Sequence, residues 1–170
     1  KINSMGDATC RPSYRDKVAA FIKTYESDMC PECKKRADTN PLRAFDCKNP
    51  HCREIMQGAP LISDMLCDEC AAHYAAVKRY LDEANIAYVE DPTLVRGLDY
   101  YGRTVFEVEA TSGVGAQSAI GGGGRYDGLM ELVGGKPTPG IGFAVGFERI
   151  MLSLDAIGID LAGPAPSCIY

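Results

Sequence analysis

The sequence predicts an α+β protein in which helices occupy the first half and strands carry the second. Helical spacing of apolar residues recurs twice before residue 85, whereas short β-branched and aromatic runs occur only after it. Composition changes at the same place. Residues 1–85 hold seven of the eight cysteines and two of the 18 glycines, and residues 86–170 hold one cysteine and 16 glycines. The two halves are therefore predicted to be different structural units joined near residues 85–86.

Overall composition excludes several classes of protein. With 170 residues, 46% apolar and 24% charged, the chain can bury a core and is too apolar for a disordered tail. The net charge of −5 lies in the second half, which has five basic and ten acidic residues, so charge alone gives no nucleic-acid signal. No membrane-spanning run or signal peptide is recognisable, and we expect a cytoplasmic protein with no membrane partner. Because the chain starts at Lys1, we interpret it as a piece of a longer protein.

The first half has two predicted helices. Residues 14–29 have apolar side chains at helical spacing after Ser13, a suitable N-cap. Residues 69–84 repeat the pattern, and Asn85 is a suitable C-terminal stop. The proline-interrupted stretch between them permits only short helices, near residues 53–57 and 61–66.

That interrupted stretch is bounded by two Cys-x-x-Cys pairs, Cys30/Cys33 and Cys67/Cys70. A two-residue gap lets both thiolates of a pair reach one ion, and tetrahedral zinc needs two such pairs. We therefore favour these four cysteines as the ligands of one structural zinc ion. Reduced cysteines without metal, and a disulfide or redox pair, remain the alternatives.

Other side chains in the first half could also bind the ion. Cys52 is the best substitute for one of the four ligands, whereas Cys47 is expected simply to pack. His51 and His73 are further candidates, although His73 fits better as a surface or capping group on the second helix. A complete set of four thiolates leaves no open coordination position, so the ion would stabilise the fold and not catalyse.

The second half contains strand signals and a glycine run. Residues 86–89, 104–108 and 117–120 are predicted strands, and residues 140–149 are predicted to pass directly from a strand into a helix. The run of four glycines at 121–124 by itself predicts a flexible turn, but the Arg-Tyr-Asp that follows makes a bare linker less favourable. Arg96, Arg125 and Arg149 lie within glycine-rich or aromatic segments. They are candidates for binding an anion, with ion pairing to Asp99, Asp127 or Glu148 as the alternative.

Three segments carry a resemblance to a known family. Residues 94–101 (LVRGLDYY) followed by 104–107 (TVFE) resemble the first histidine-specific motif of histidyl-tRNA synthetases. Residues 122–129 (GGGRYDGL) resemble the second such motif, and residues 140–149 (GIGFAVGFER) resemble motif 3 of class II aminoacyl-tRNA synthetases. The three segments occur in the family order and at family-like spacing.

The resemblance extends to the first half and implies a domain organisation. Tyr14-Arg15, NPLR at residues 40–43 and DCK at residues 46–48 resemble the helical insertion domain of that family. The expected parts are a segment from the catalytic core (1–13), the Cys-rich insertion domain (14–85), the C-terminal part of the catalytic domain (86–158), and a linker to the anticodon-binding domain (159–170). The fold implied is part of the class II antiparallel sheet with flanking helices, plus an inserted small helical domain. Motifs 1 and 2 would lie upstream, so this fragment is expected to be inactive alone.

The resemblance implies an aminoacyl-tRNA synthetase, a ligase that uses ATP with Mg²⁺. Histidine would be activated to histidyl-adenylate and then transferred to tRNA(His), and the intact enzyme would be a homodimer. Arg96 would be the catalytic residue and would contact the α-phosphate and the histidine carboxylate. Tyr100, Tyr101 and Tyr126 would join Arg96 in binding histidine, while Arg149 and Gly146 would bind ATP.

Two further hypotheses remain beside this one. The synthetase-like regulatory subunit of ATP phosphoribosyltransferase shares the fold and senses histidine without catalysis, but it tends to lose the catalytic and insertion features. Alternatively, residues 14–85 could be a separate zinc-stabilised module that binds RNA or protein. The synthetase resemblance itself implies that the insertion domain approaches the tRNA acceptor region, and the basic residues best suited to that contact are Lys34, Lys35, Arg36 and Arg43. A solvated helix face explains them equally well.

Overall fold

The computed structural model describes residues 1–97, 100–111 and 118–159. Its second half and its first few residues form an antiparallel sheet in the order β1–β2–β3–β4. The strands are β1 (Ile2–Ser4), β2 (Gly102–Glu109), β3 (Ala119–Arg125) and β4 (Ile141–Val145). The short helix α5 (Leu129–Leu132) lies between β3 and β4, and α6 (Phe147–Ala156) follows β4 almost directly. The predicted α+β class is confirmed.

The residues between β1 and β2 form the helical part of the molecule. Its helices are α1 (Arg11–Thr24), α2 (Pro31–Thr39), α3 (Pro50–Met56) and α4 (Asp68–Glu83). Short 3₁₀ helices at Glu26–Asp28, Pro41–Asp46 and Ile62–Asp64 connect them. Tyr14, Val18 and Ile22 of α1 are fully buried and anchor a hydrophobic core that continues into the sheet at Val105. The helices and the sheet therefore share one core.

Helix prediction was correct in outline and wrong at some boundaries. The second predicted helix matches α4, and Asn85 ends it in the left-handed conformation at φ 55°. The first helix begins at Arg11 after Cys10 and not after Ser13, because Pro12 suits the first turn of a helix. α2 and the 3₁₀ helix at Pro41–Asp46 were not predicted from the proline-interrupted stretch.

Two predictions about strands need correction. Residues 86–89 are not a strand; Ile2 forms an isolated bridge with Glu90, and its N–H donates to the Val89 carbonyl at 2.9 Å. The glycine run at 121–124 is not a turn, because it forms the middle of β3 with partners on both sides. The predicted strand at 104–108 is confirmed, and so is the predicted passage from a strand into a helix within residues 140–149. Residue 117 of the third predicted strand lies outside the described residues.

Candidate active site

Three tyrosines lie together at one end of β3. The ring centres of Tyr100 and Tyr101 are 4.6 Å apart, and the Tyr126 ring stands edge-on to both, at 5.8 Å and 6.3 Å. A side-chain hydrogen bond with Tyr101 raises the pKa of Tyr100. Phenol hydroxyls both donate and accept hydrogen bonds, so this cluster can bind a polar ring or an amine.

Arg96 lies beside the tyrosines and is held from two sides. Its Nη1 is 3.0 Å from a carboxylate oxygen of Glu107 on β2, and its guanidinium carbon lies 6.0 Å from the centre of the Tyr101 ring. Arg96 and Glu107 are both only partly exposed. The backbone before Arg96 is fixed by Asn3 of β1, whose Nδ2 donates to the Leu94 carbonyl at 2.9 Å. The ion pair that the sequence left open is therefore with Glu107, while Asp99 lies outside the described residues.

Arg96 and Tyr101 pack directly against glycines of β3. A Cβ at Gly122 would stand 2.8 Å from Nη1 of Arg96, and a Cβ at Gly124 would stand 2.9 Å from Cδ1 of Tyr101. Residues 122 and 124 face the same side of the sheet because side chains alternate along a strand. Larger residues here would push the arginine and the tyrosine away from the sheet.

The neighbouring strand receives Tyr126 in the same way. A Cβ at Gly142 would lie 2.5 Å from the Tyr126 hydroxyl oxygen, and a Cβ at Gly140 would lie 2.5 Å from Cε2 of the ring. The Tyr126 ring therefore rests against the backbone that enters β4. Glycines on two strands thus create one shallow surface lined by Arg96 and the three tyrosines.

Arg149 lies at the opposite end of β3. Its Nε donates to the Ala119 carbonyl at 2.5 Å, and its Cδ is 3.0 Å from the place where a Cβ of Gly146 would lie. Gly146 has an extended backbone and lies four residues beyond Gly142, so its missing side chain would point to the same face of the sheet. Arg149 and Arg96 are therefore arranged along β3, beside residues 119 and 122. Three strand residues span about 10 Å.

Arg125 serves a different contact. Its Nε is 2.6 Å from an Asp127 carboxylate oxygen, and its Nη1 lies 3.3 Å from Nε2 of His73 on α4. Burial, followed by the positive charges of Arg125 and Arg103, lowers the pKa of His73. Arg125 thus pairs with Asp127, the alternative that the sequence left open for it, and joins β3 to α4. His73 is part of this contact and belongs to neither cysteine group, and His51 is exposed.

The cysteines of residues 1–85, all within the described part of the chain, form two separate groups, and neither group is the predicted set of Cys30, Cys33, Cys67 and Cys70. Cys30 and Cys33 lie with Cys47 and Cys52, whereas Cys67 and Cys70 lie with Cys10 and Asp7. In each group the four potential ligand atoms lie within 4.8 Å of one another. The two Cys-x-x-Cys pairs therefore do not converge on one point. The sequence predicts only packing for Cys47 and gives no signal that Cys10 or Asp7 belongs to a metal site.

The group of Cys30, Cys33, Cys47 and Cys52 lies in the helical core. Cys33 and Cys52 are completely buried, and the Cys30 and Cys47 sulfurs are 3.8 Å apart. Cys30 precedes the first residue of α2, and its N–H donates to the Cys52 sulfur at 3.2 Å. Burial alone would raise the pKa of Cys30, but hydrogen bonds from the Cys33 backbone and the neighbouring thiols lower it to about 7. Burial raises the pKa of Cys33. Four sulfurs with these spacings, three of them on buried residues, have the donor set of a structural zinc site.

The chain is similar in sequence to a known family of proteins. The family model described as histidyl-tRNA synthetase matches residues 51–150. The histidine–tRNA ligase of Desulfatibacillum aliphaticivorans is 52% identical over 163 residues, which cover 96% of this chain and 39% of that protein. The histidine–tRNA ligase of Moorella thermoacetica is 49% identical over 157 residues, which cover 92% of this chain and 37% of that protein.

The chain belongs to the histidyl-tRNA synthetase family. A crystal structure of apo histidyl-tRNA synthetase from S. aureus superposes with a TM-score of 0.69 at 41% identity, covering 94% of this chain and 38% of that one. The predicted class II fold, an antiparallel sheet with flanking helices, is thus confirmed. The chain spans about two fifths of the length of the curated synthetases that it matches.

Three of the four basic residues that were expected to contact tRNA lie near the candidate site. Lys35, Arg36 and Arg43 line a cavity of about 340 Å³ that also includes Gly97, the residue after Arg96. Nη1 of Arg36 donates to the Arg43 carbonyl at 3.0 Å, so the two arginines are held together. Lys34 is only partly exposed and does not line this cavity.

Among the described residues, no helix combines the length and the apolar character needed to cross a membrane.

Proposed function

We propose that the protein containing this chain is a histidine–tRNA ligase that activates histidine with ATP and transfers it to tRNA(His). The observation that carries the proposal is the arrangement of side chains along β3. Arg149 contacts Ala119, Arg96 lies over Gly122, Tyr101 lies over Gly124, and Tyr126 follows the strand. ATP and histidine bound end to end would present two anionic groups and then an imidazole, which matches this order of two arginines and three tyrosines.

Arg96 is the proposed catalytic residue. In the first reaction the histidine carboxylate attacks the α-phosphorus of ATP, the new P–O bond forms, and pyrophosphate leaves with the bonding electrons. Negative charge develops on the α-phosphoryl oxygens, and a fixed cation aimed there lowers the barrier. A guanidinium can bridge the phosphoryl and carboxylate oxygens with its fork of donors, which an ammonium cannot do. The contacts with Glu107 and Tyr101 hold that fork before substrate arrives.

The remaining site residues would bind the two substrates. Tyr100, Tyr101 and Tyr126 would hydrogen-bond the imidazole and the amino group of histidine, for which phenols suit a neutral ring. Arg149 would contact the γ-phosphate, and Gly146 would leave room beside the adenine. Mg²⁺ would enter with ATP and be held largely by its phosphates.

A structural zinc ion is proposed at Cys30, Cys33, Cys47 and Cys52. The support is four sulfurs within 4.8 Å, two of them completely buried. Four thiolates complete the coordination of zinc, so the ion would join α2, α3 and the 3₁₀ segment Pro41–Asp46 without taking part in catalysis.

The helical insertion is proposed to approach the acceptor end of tRNA(His). The support is the cavity of Lys35, Arg36 and Arg43 beside Gly97, because phosphates of a tRNA end near Arg96 would meet these cations. In this proposal residues 14–85 are the insertion domain and 86–158 are part of the catalytic domain, in a cytoplasmic homodimer. Because the chain covers 39% of a relative, we expect these 170 residues alone to be inactive. The alternative of a regulatory subunit has no support in the comparisons.

The experiment that tests the proposal is ATP–pyrophosphate exchange by the full-length protein with histidine. Arg96→Ala should reduce exchange by about 10²–10³-fold, as expected for loss of a transition-state donor. Arg96→Lys should restore little of it, because a lysine cannot bridge two oxyanions. Arg79→Ala is the matched control, since Arg79 is 62% exposed and should leave exchange unchanged. Exchange that depends on another amino acid, or near-normal exchange in Arg96→Ala, would contradict the proposal.

A further inference from the structure

The second cysteine group lies where the helical insertion meets the sheet. Asp7 and Cys10 belong to the connection between β1 and α1, and Cys67 and Cys70 belong to the start of α4. Their oxygen and sulfur atoms all lie within 4.8 Å of one another, although Cys10 and Cys67 are 57 positions apart in the sequence. Three of the seven cysteines in residues 1–85 thus converge with a carboxylate at a place that the proposed active site does not use.

The spacing of these donors fits one tetrahedral ion. Zinc binds sulfur at about 2.3 Å and carboxylate oxygen at about 2.0–2.2 Å, so ligand atoms at the corners of a tetrahedron stand about 3.5–3.8 Å apart. The Cys10 sulfur lies 3.7 Å from Oδ1 of Asp7, and the Cys67 sulfur lies 3.9 Å from the same oxygen. These two separations are close to those that a bound ion would impose.

The backbone at Gly6 and Asp7 lets the Cys10 sulfur approach closely. Gly6 has φ 64°, and a Cβ there would stand 2.6 Å from the Cys10 sulfur, so this position requires glycine. The N–H of Asp7 donates to the Cys10 sulfur at 3.4 Å. Cys10 immediately precedes α1 and Cys67 immediately precedes α4, so both sulfurs lie at helix N-termini, where the backbone favours negative charge.

The surroundings also balance the charge that such a site would carry. Three thiolates and one carboxylate around a divalent ion leave a net charge of −2. Nη2 of Arg103 lies 3.6 Å from an Asp7 carboxylate oxygen and also contacts Glu69, between Cys67 and Cys70. Arg103 adopts φ 52°, a conformation that non-glycine residues rarely take, and its side chain is held at this cluster. A cation outside the ligand shell is the usual partner of an anionic metal site.

We propose that Asp7, Cys10, Cys67 and Cys70 bind a second structural zinc ion. This ion is separate from the one proposed at the other cysteine group, Cys30, Cys33, Cys47 and Cys52. The ion joins the N-terminus of α4 to the connection between β1 and α1, and so fixes the helical insertion to the sheet. Three sulfurs and one oxygen complete a tetrahedral shell, which makes the site structural.

This position connects the ion to the tyrosines. Arg11, next to Cys10, donates to the Tyr101 carbonyl, and the Arg103 N–H donates to the Gly6 carbonyl at 2.7 Å. The segment from Tyr101 to Arg103 is thus attached at two points to Gly6 and Arg11, the residues that flank Asp7 and Cys10. The metal site itself does not depend on the proposed ligase activity; only this link to histidine binding does.

The test is a metal count on the full-length protein, purified from zinc-containing medium without chelators, by inductively coupled plasma mass spectrometry. We expect two zinc ions per chain in the wild type. Cys67→Ser/Cys70→Ser and Cys33→Ser/Cys52→Ser should each retain one. Asp68→Asn changes an exposed carboxylate beside Cys67 that is outside the group, so this control should retain two.

A second measurement covers variants that fail to fold. Asp7→Asn keeps every thiol, and we expect it to release one of its two ions to a chelator at least tenfold faster than Asp68→Asn does. Cobalt substitution of Cys33→Ser/Cys52→Ser should still give the visible bands of a tetrahedral thiolate site. One or no zinc in the folded wild type, or an unchanged count in folded Cys67→Ser/Cys70→Ser, would overturn the proposal. ATP–pyrophosphate exchange is a separate readout, so failure of the metal site and failure of the ligase proposal are distinguishable.

Discussion

The guanidinium of Arg96 lies directly over the backbone of Gly122, at a distance that only glycine permits. A Cβ at position 122 would stand 2.8 Å from Nη1 and 2.9 Å from Nη2. Gly122 is also the register partner of Glu107, the residue that pairs with Arg96. The absence of a side chain at Gly122 therefore lets the Arg96 guanidinium lie close to the sheet. The ion pair with Glu107, the partner of Gly122 on β2, orients the guanidinium.

Gly122→Ala should displace Arg96 without altering its charge. The added methyl group must push either the guanidinium or the strand by several tenths of an ångström or more, and a displacement of about 1 Å at a reacting group can cost about 10²-fold in rate. We expect ATP–pyrophosphate exchange to fall by about that factor. Gly128→Ala is the matched control, since a Cβ there would meet nothing within 4 Å. Equal exchange in the two variants would contradict the positioning role of Gly122.

Tyr126→Phe tests the proposed histidine pocket. The ring would keep its contacts with Gly140 and Gly142, while the hydroxyl that could bind substrate would be lost. A neutral hydrogen bond contributes about 0.5–1.5 kcal/mol, so we expect the KM for histidine to rise by up to about tenfold and the KM for ATP to change little. Tyr80→Phe, at a residue that is 60% exposed, should change neither. An increase confined to the KM for ATP would argue against a role in histidine binding.

Arg43→Ala tests the proposed contact between the insertion and tRNA. Removing one phosphate contact should weaken tRNA(His) binding and lower the slope of log affinity against log salt by about 0.7–0.9. ATP–pyrophosphate exchange should stay normal, because that reaction needs no tRNA. Lys23→Ala is a suitable control, since Lys23 is exposed and pairs with Asp38 outside this cavity. An unchanged salt slope in Arg43→Ala would remove this residue from the tRNA interface.

Metal removal should increase amide hydrogen exchange in the helical part of the molecule more than in the sheet. A chelator that empties the site of Cys30, Cys33, Cys47 and Cys52 should increase amide hydrogen exchange in α2 and α3, because these short helices depend on the ligands. The β2–β3 pair should keep its protection, since six residues of β3 have register partners on β2. Re-addition of zinc should reverse the change, and exchange that is indifferent to chelator would contradict a metal at this site.

The elements that could be predicted are those with a local cause. α4 shows its apolar spacing and its Asn85 stop in adjacent residues, and the passage from β4 into α6 is likewise contained in one short segment. The family motifs are of the same kind, because Arg96, Tyr101 and Tyr126 lie in contiguous, specific stretches of sequence. Local patterns of this sort need no knowledge of distant neighbours.

The glycine run shows why the remainder could not be predicted. Glycine has low strand propensity, so four in succession predict a turn. In the fold, Gly122 and Gly124 accept Arg96 and Tyr101 on one face, while a Cβ at Gly123 would stand 2.7 Å from Phe143 on the other. Residues from neighbouring segments therefore pack against both faces of this glycine-rich strand.

The sequence by itself determined the family, the α+β class, and the pairing of each Cys-x-x-Cys unit, because a two-residue gap forces two thiols together whatever the rest of the chain does. Only the tertiary structure decided which units meet. Cys30 and Cys33 find Cys47 and Cys52 inside the helical core, while Cys67 and Cys70 find Cys10 and Asp7 beside the sheet. The physical reason is the distance along the chain. The two halves of each group lie 14 to 22 positions apart in the first group and 57 to 63 in the second, so the packing of the helices and the sheet decides which residues meet.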